Sequence, residues 1–500
     1  MKSNLIPPQK LWLALLFFCL LLVITACSSS STSEENISAT HLLATSLPAP
    51  TTTSTPCATP TPRPTRQPPT QLTRTYTVQA GDTLSGIAAY LGISVEELLV
   101  SNGLTDADQL QSGQLLKLPV QSPVVGPKAV LLPDSELVYG PAYANFELTS
   151  AITPYSGYFQ TYTEALPTGE VVTGPEIIMR IAMQYSVGPR VLLALLEAES
   201  GWLTNPHPSQ AACEYPLGHV RDGWEGLTSQ LLWTADDLNA GFYGWLFDDL
   251  WTFRLADRSS VQFATTINAG TAGVQRSLAD SADFTAFQER LQKFETTYYR
   301  LWGDPFSYTG EPLLPPVAAP PTLALPWSVG ETWYFTGGPH GGWGEGSARA
   351  ALDFATSERN WGCRVSEQLV TAVTAGQIAY SREGLILQEL DHDGFIGTGW
   401  VLIYMHLAAQ DRVVAGAQVE LGDALGHPSC EGGPATASHL HFARRYNGVW
   451  IPADSPWPLV LSGWRARAGA RSYDGSLQKG ELIKTAEEDW LSANAILHLR

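Results

Sequence analysis

The sequence predicts a multidomain chain: a small α/β module near the N-terminus, a mostly helical middle region and a mostly antiparallel-β C-terminal region. Three observations predict it. The 500 residues exceed what one core ordinarily organises. The 35 prolines gather between segments instead of spreading evenly. The apolar pattern changes from helical spacing in the middle to alternating, glycine-broken runs towards the C-terminus.

The first residues read as an export signal. Lys2 and Lys10 precede an apolar run, Leu11 to Ile24, too short for a confident membrane span. The run ends in Ile24-Thr25-Ala26-Cys27. Small residues before a cysteine resemble the lipobox of bacterial lipoproteins, which implies that residues 1–27 are a lipoprotein signal and that Cys27 carries the lipid. Two acyl chains anchor a protein stably where one does not. The expected location is therefore outside the cell membrane, lipid-anchored and facing the wall. A net charge of −19 argues against nucleic acid as a partner, and against an electrostatic hold on anionic lipid. Of the six cysteines, Cys363 and Cys430 share the last region. Export makes a disulfide between them the expectation.

Residues 28–73 are Ser, Thr and Pro without an apolar period, and read as an extended tether. Residues 74–120 form the α/β module. Tyr76 and Val78 alternate as a strand, Asp82 or Thr83 caps a helix carrying Leu84, Ile87 and Leu91, and Ser94 with Glu97 makes a capping box for a second helix. Leu115 to Leu118 closes as a strand. The "GDTL", "SNGL" and "L-x-x-G-Q-x-L-x-L-P" elements together resemble a LysM module over its whole length. That resemblance implies binding to N-acetylglucosamine-containing glycan, as in peptidoglycan. It places the groove between Gly81, Asp82, Thr83 and Leu84 on one loop and Asn102, Gly103 and Leu104 on the other.

Residues 125–306 are helix-rich. Helices are predicted from Pro175 to about Tyr185 and from Pro189 to about Ser200, each with proline in its first turn. Val191, Leu195 and Glu199 recur at four-residue steps on one face. A carboxylate ending an apolar stripe suits an acid that protonates a glycosidic oxygen. "E-S-G-W" after "L-L-A-L-L", with patches such as "GLTSQL" and "INAGTAGVQ", also resembles lytic transglycosylases and lysozyme-like enzymes. Glu199 is thus a candidate acid for glycan cleavage, or a carboxylate that caps or pairs at the helix end of a spacer.

A proline-rich linker is expected over 307–328, the last domain over 329–475 and an extension over 476–500. Six of the ten histidines lie between 340 and 441. In "SHLHF" a strand puts His439 and His441 on one face and Leu440 and Phe442 on the other. In "YMHL" Tyr404 and His406 are expected to share a face. In "ALDF" Asp353 turns away from Leu352 and Phe354. Zinc suits imidazole and carboxylate donors, and three protein ligands leave a position for water. His392 and His427 read as turn and loop residues.

The motifs "A-L-D-F-A", "A-x-x-A-G-Q-I", "Y-M-H-L", "V-x-x-G-x-x-L-G-H-P" and "S-H-L-H-F" resemble LytM/lysostaphin-type zinc endopeptidases, in family order. The resemblance implies that Asp353 and His441 bind zinc. It makes His439 the base that acts on the zinc-bound water, and His406 the group that stabilises the oxyanion or relays a proton. The implied substrate is a peptide bond of peptidoglycan stems or cross-bridges. One departure matters. The family's first ligand stands four residues before the aspartate, and here that residue is Arg349, which cannot deprotonate to bind a metal. Either His340 reaches the site on a glycine-rich loop, or the metal is gone. The expectation adopted is His340. A non-catalytic scaffold that regulates other wall hydrolases, and glycan cleavage through Glu199, are the rival readings.

Overall fold

The computed structural model describes residues 75–499 except 80–81, 92–93, 108, 119–123, 167–168, 316–318 and 359–361. Cys27, its signal, the tether and Gly81 lie outside the described residues.

The N-terminal module is a strand–helix–helix–strand unit: Thr75–Thr77, Leu84–Leu91, Val95–Asn102 and Leu115–Lys117, with the two strands antiparallel. Both halves of the expected Ser94–Glu97 capping box form, and Gly103 at φ 64 ends the second helix in the left-handed conformation that glycine tolerates. Val78, Leu84, Ile87, Ala88, Leu98 and Leu116 make its core.

Five longer helices build the middle region: Gly174–Tyr185, Pro189–Ser200, Leu227–Leu246, Ala269–Ala279 and Phe284–Trp302. The first begins at a Thr173–Glu176 capping box, and the second has proline in its first turn and Gly201 past its end. Glu136 is fully buried and accepts from Arg190 Nε and Nη2, each at 2.7 Å, from Tyr143 at 2.7 Å and from Tyr298 at 2.5 Å. Four donors on one carboxylate pin three segments that are distant in sequence.

The C-terminal region is built on a large antiparallel sheet. Its strands run in the order Gln418–Val419, Gly376–Arg382, Leu385–Glu389, Trp400–Met405, Leu440–Tyr446, Ala351–Ala355, Thr332–His340 and Ala495–Leu497, with Val449–Trp450 added beside Leu440–Tyr446. One face carries Leu352, Phe354, Leu402, Tyr404, Leu440 and Phe442 into the region's own core. The other face carries Leu387, Ile403, Met405, Ala443 and Trp450 into a core shared with the helices of the middle region. Buried hydrogen bonds cross the contact: Trp450 Nε1 donates to the Tyr185 carbonyl, Arg445 to the Met183 carbonyl and Ser186 to the Gly448 carbonyl.

Two expected boundaries change. The stretch 307–328 is not a free linker: Leu313 is buried in the shared core, and Leu323, Leu325 and Trp327 are buried in the C-terminal core. Residues 476–500 are not an appendage either. Ala495–Leu497 pairs with Thr332–His340, and Gly475–Lys479 sits inside a second sheet of four strands. Proline counts report what a chain cannot form locally, and alternating leucines between the prolines supply the burial.

Candidate metal centre

Three neighbouring strands carry the site. His441 lies directly opposite Asp353, and Met405 directly opposite His441. Across the other side of Ala351–Ala355, the pairing of Thr332–His340 slips twice, between Phe335 and Gly337 and between Gly337 and His340. The slips place His340 opposite Ala351 and turn its ring onto Asp353. His340 therefore arrives from the end of a paired strand, not from a loose loop.

His340 Nε2 and His441 Nδ1 each stand 3.3 Å from Asp353 Oδ1, and 3.1 Å from each other. The three groups are buried, and they form the one all-buried cluster of metal-ligand type among the described residues. The outward nitrogens are taken: His340 Nδ1 is 2.8 Å from the Gly338 carbonyl and His441 Nε2 is 3.1 Å from the Gly342 carbonyl. A carbonyl only accepts, so both outward nitrogens are N–H and both inward ones are bare in the neutral rings. Asp353 Oδ1 is buried without a hydrogen-bond partner. Two lone pairs and a carboxylate oxygen thus converge on one point, an arrangement that a cation resolves. The residues present fit zinc.

The electrostatics agree. Burial alone would raise Asp353, but the charges of His340 and His439 hold it well below the usual carboxylate range. Burial works against a charged His340, and the Asp353 carboxylate outweighs it and lifts the imidazole. Burial lowers His441.

His406 and His439 stand beside the trio, with ring centres 4.5 Å apart. His439 Nε2 is 3.7 Å from Asp353 Oδ1, and its Nδ1 donates to the Ala437 carbonyl at 2.8 Å. His406 Nδ1 donates to the Glu431 carbonyl at 2.9 Å, and burial, then the charges of His439 and His441, push its pKa down to about 3. Each therefore presents a bare Nε2. The expected sharing of a face by Tyr404 and His406 fails. Tyr404 is in the opposite core with its hydroxyl on Gln388, because the strand stops at Met405 and His406 has φ 68. That left-handed residue reverses the alternation and delivers its ring to His439.

Arg349 takes no part. Its Nη1 donates to the Gly469 carbonyl at 3.2 Å, and it precedes the Ala351–Ala355 strand. His392, at φ 58, lies in the turn after Leu385–Glu389, and His427 follows Ala424–Gly426. Cys363 and Cys430 form a disulfide. Sequence reading missed Tyr473, whose ring stacks on His340 at 4.1 Å and whose carbonyl accepts from Gly338 at 2.7 Å. No signal marked it, since it comes from a segment 32 residues after His441 with no motif of its own.

Glu199 ends the predicted helix but is not a free acid. It pairs with Arg290, Nε to Oε1 3.0 Å, beside a cavity of about 10 Å³ that has room for a single water. The pairing at the helix end is what the structure shows. In the N-terminal module, Leu84 is core, Asp82 accepts from Tyr76 and Gln79, and Asn102 bridges both backbone groups of Lys117. These residues shape the expected groove and do not line it with free groups; Thr83 and Gly103 are exposed and Leu104 is part-buried.

Comparison with known proteins follows this division. Residues 76–119 match the LysM domain family. Residues 130–316 match the family described as LasA, N-terminal domain, so the likeness of the middle region is to that domain, and its lysozyme-like patches are local. Over 314 residues, 59% of this chain and 71% of the relative, the sequence is 27% identical to protease LasA of Pseudomonas aeruginosa. A stretch of 44 residues, 9% of this chain and 14% of the relative, is 52% identical to N-acetylmuramoyl-L-alanine amidase XlyB of Bacillus subtilis. Among solved structures, the M23 metalloprotease pseudoalterin from the deep sea covers 34% of this chain and 96% of its own, at 26% identity and a TM-score of 0.28.

Proposed function

We propose that this chain, a LysM-bearing relative of protease LasA, is a zinc-dependent endopeptidase that cleaves peptide stems or cross-bridges of peptidoglycan. The observation that carries the reading is the convergence of two bare imidazole nitrogens on an unpartnered, buried Asp353 oxygen. His340, Asp353 and His441 would hold the zinc. When bound, the ion supplies a Lewis acid that polarises a carbonyl and acidifies water.

The remaining roles follow from the tautomers. With Nδ1–H committed to the Ala437 carbonyl, His439 offers Nε2 to take a proton from the attacking water. His406 presents its Nε2 beside His439, and the resemblance gives it the role of stabilising the oxyanion or relaying a proton. The LysM module would hold glycan and raise the local concentration of attached peptide. The likeness of residues within this chain to a muramoyl amidase supports a wall substrate. Anchoring at Cys27 belongs to the same reading, and acyl labelling that persists in Cys27→Ala would remove it. The scaffold reading drew on Arg349, and the trio closes without that residue. The glycan-cleavage reading drew on Glu199, which Arg290 occupies.

The test is digestion of purified walls by the full chain, followed by mass spectrometry of the soluble fragments. New peptide amino termini should appear, vanish with a chelator, return with zinc and be absent for His439→Ala. Release of glycan fragments alone, or no release by a zinc-loaded folded chain, would overturn the assignment.

A further inference from the structure

The middle region meets the metal loop through Asp236 and Tyr185. Residues 341–348 lead from His340 back to the strand that carries Asp353, and within them the Gly342 carbonyl accepts from His441 Nε2 at 3.1 Å. That carbonyl fixes which nitrogen of His441 faces the metal. The loop has internal bonds: Gly342 N donates to the Ala348 carbonyl and Trp343 N to Ser347 Oγ. Its external hold comes from the helix Leu227–Leu246, where Asp236 Oδ1 accepts from Gly346 N at 2.8 Å.

The fit is close from both sides. A Cβ at Gly346 would run into the Asp236 carbonyl, and one at Gly344 into the Asp236 carboxylate and the Tyr185 ring. Gly344 also has φ 69, so glycine is required there twice over. Asp236 is half-buried and forms no salt bridge among the described residues. Its polar contact is with the amides of the metal loop, not with its own helical region. A half-buried carboxylate without an ion pair needs such donors.

We propose that Asp236 is a positioning residue for the metal centre: it clamps the 341–348 loop so that the Gly342 carbonyl orients His441, and through it the middle region sets the affinity for zinc. The inference rests on the reading that His340, Asp353 and His441 hold that ion. Partners of metal-bound histidines change affinity by about 10–100-fold when removed.

The experiment measures zinc affinity of the full chain by competition with a chromophoric chelator. Asp236→Ala should bind zinc about tenfold or more weakly. Asp236→Asn keeps an oxygen acceptor for Gly346 N–H, and should stay within about threefold of wild type, a rescue that general damage to the helix would not give. Unchanged affinity in Asp236→Ala overturns the clamp and leaves the zinc site standing. Equal losses in both variants overturn it as well, since the charge and not the hydrogen bond would then matter. A wild-type chain that binds no zinc overturns the metal reading and the clamp together.

Discussion

Exchanging the roles of residues 340 and 349 gives the sharpest test of the metal centre. His340→Ala removes one of three inward donors and leaves Asp353 and His441 as the remaining pair. Loss of an outer partner already costs up to about 100-fold in metal affinity. Loss of the ligand itself should exceed that, which is more than about 2.8 kcal/mol at tenfold per 1.4. Arg349→Ala removes a hydrogen bond to the Gly469 carbonyl and a charge near Asp248. A charged hydrogen bond contributes about 1.5–3 kcal/mol to folding, less when part-exposed. Zinc affinity should stay within about threefold, because the guanidinium does not reach the trio. The assay pairs chelator competition with chemical unfolding, so that a folding loss is read separately. Arg349→His should not rescue His340→Ala, since residue 349 lies outside the paired strand. Wild-type zinc affinity in folded His340→Ala, or zinc loss in folded Arg349→Ala, would refute the assignment.

Two further outcomes follow from groups away from the ligands. Burial raises the Asp237 carboxyl to about 7 despite Arg276 at 3.5 Å, so its contribution to stability is whole below about pH 4 and is lost as pH rises through 7. Asp237→Asn should therefore gain stability relative to wild type between pH 4 and 8, by at most about 4 kcal/mol, and a pH-independent difference in urea unfolding would contradict this. The Cys363–Cys430 bridge closes a loop across 67 positions, and it braces the backbone that holds both cleft histidines: Glu431 carries His406, while Gly362 and Arg364 hold Ser438 beside His439. Cys363→Ser should cost about 2–4 kcal/mol and lower wall cleavage while zinc content stays constant; full activity in the folded variant would disprove the brace.

Much of this architecture was legible in the residues. The N-terminal module and the helices at 174–185 and 189–200 follow from caps, prolines and short periods, all of which act within a few residues. The facing of His441 and Asp353 follows from strand alternation. What escaped depends on events that leave no local trace. Two register slips in Thr332–His340 decide which way His340 points, and a run of glycines around it reads equally well as a loop. The positive φ of His406 moves Tyr404 to the far core, though a strict period of two puts both on one side. Leu323, Leu325 and Trp327 look like linker because their burial is supplied by strands of the sheet that follows, with Trp327 against Trp333 and Phe354.

The shared core explains why the site could not be divided along the expected boundaries. The sheet face that carries Asp353 and His441 also carries Ile403, Ala443 and Trp450, and the helices cover that second set. Arg445, on the same face two alternations beyond His441, is buried with its Nε unbonded and no carboxylate partner among the described residues, so burial lowers its pKa to about 10. An unpaired buried cation is tolerated where a carbonyl, here that of Met183, and the Trp450 ring stand over it. Without the helices that face would present apolar strands and a bare guanidinium to water. The helical region and the metal strands therefore form one thermodynamic unit, and the geometry of the ligands inherits the packing of both.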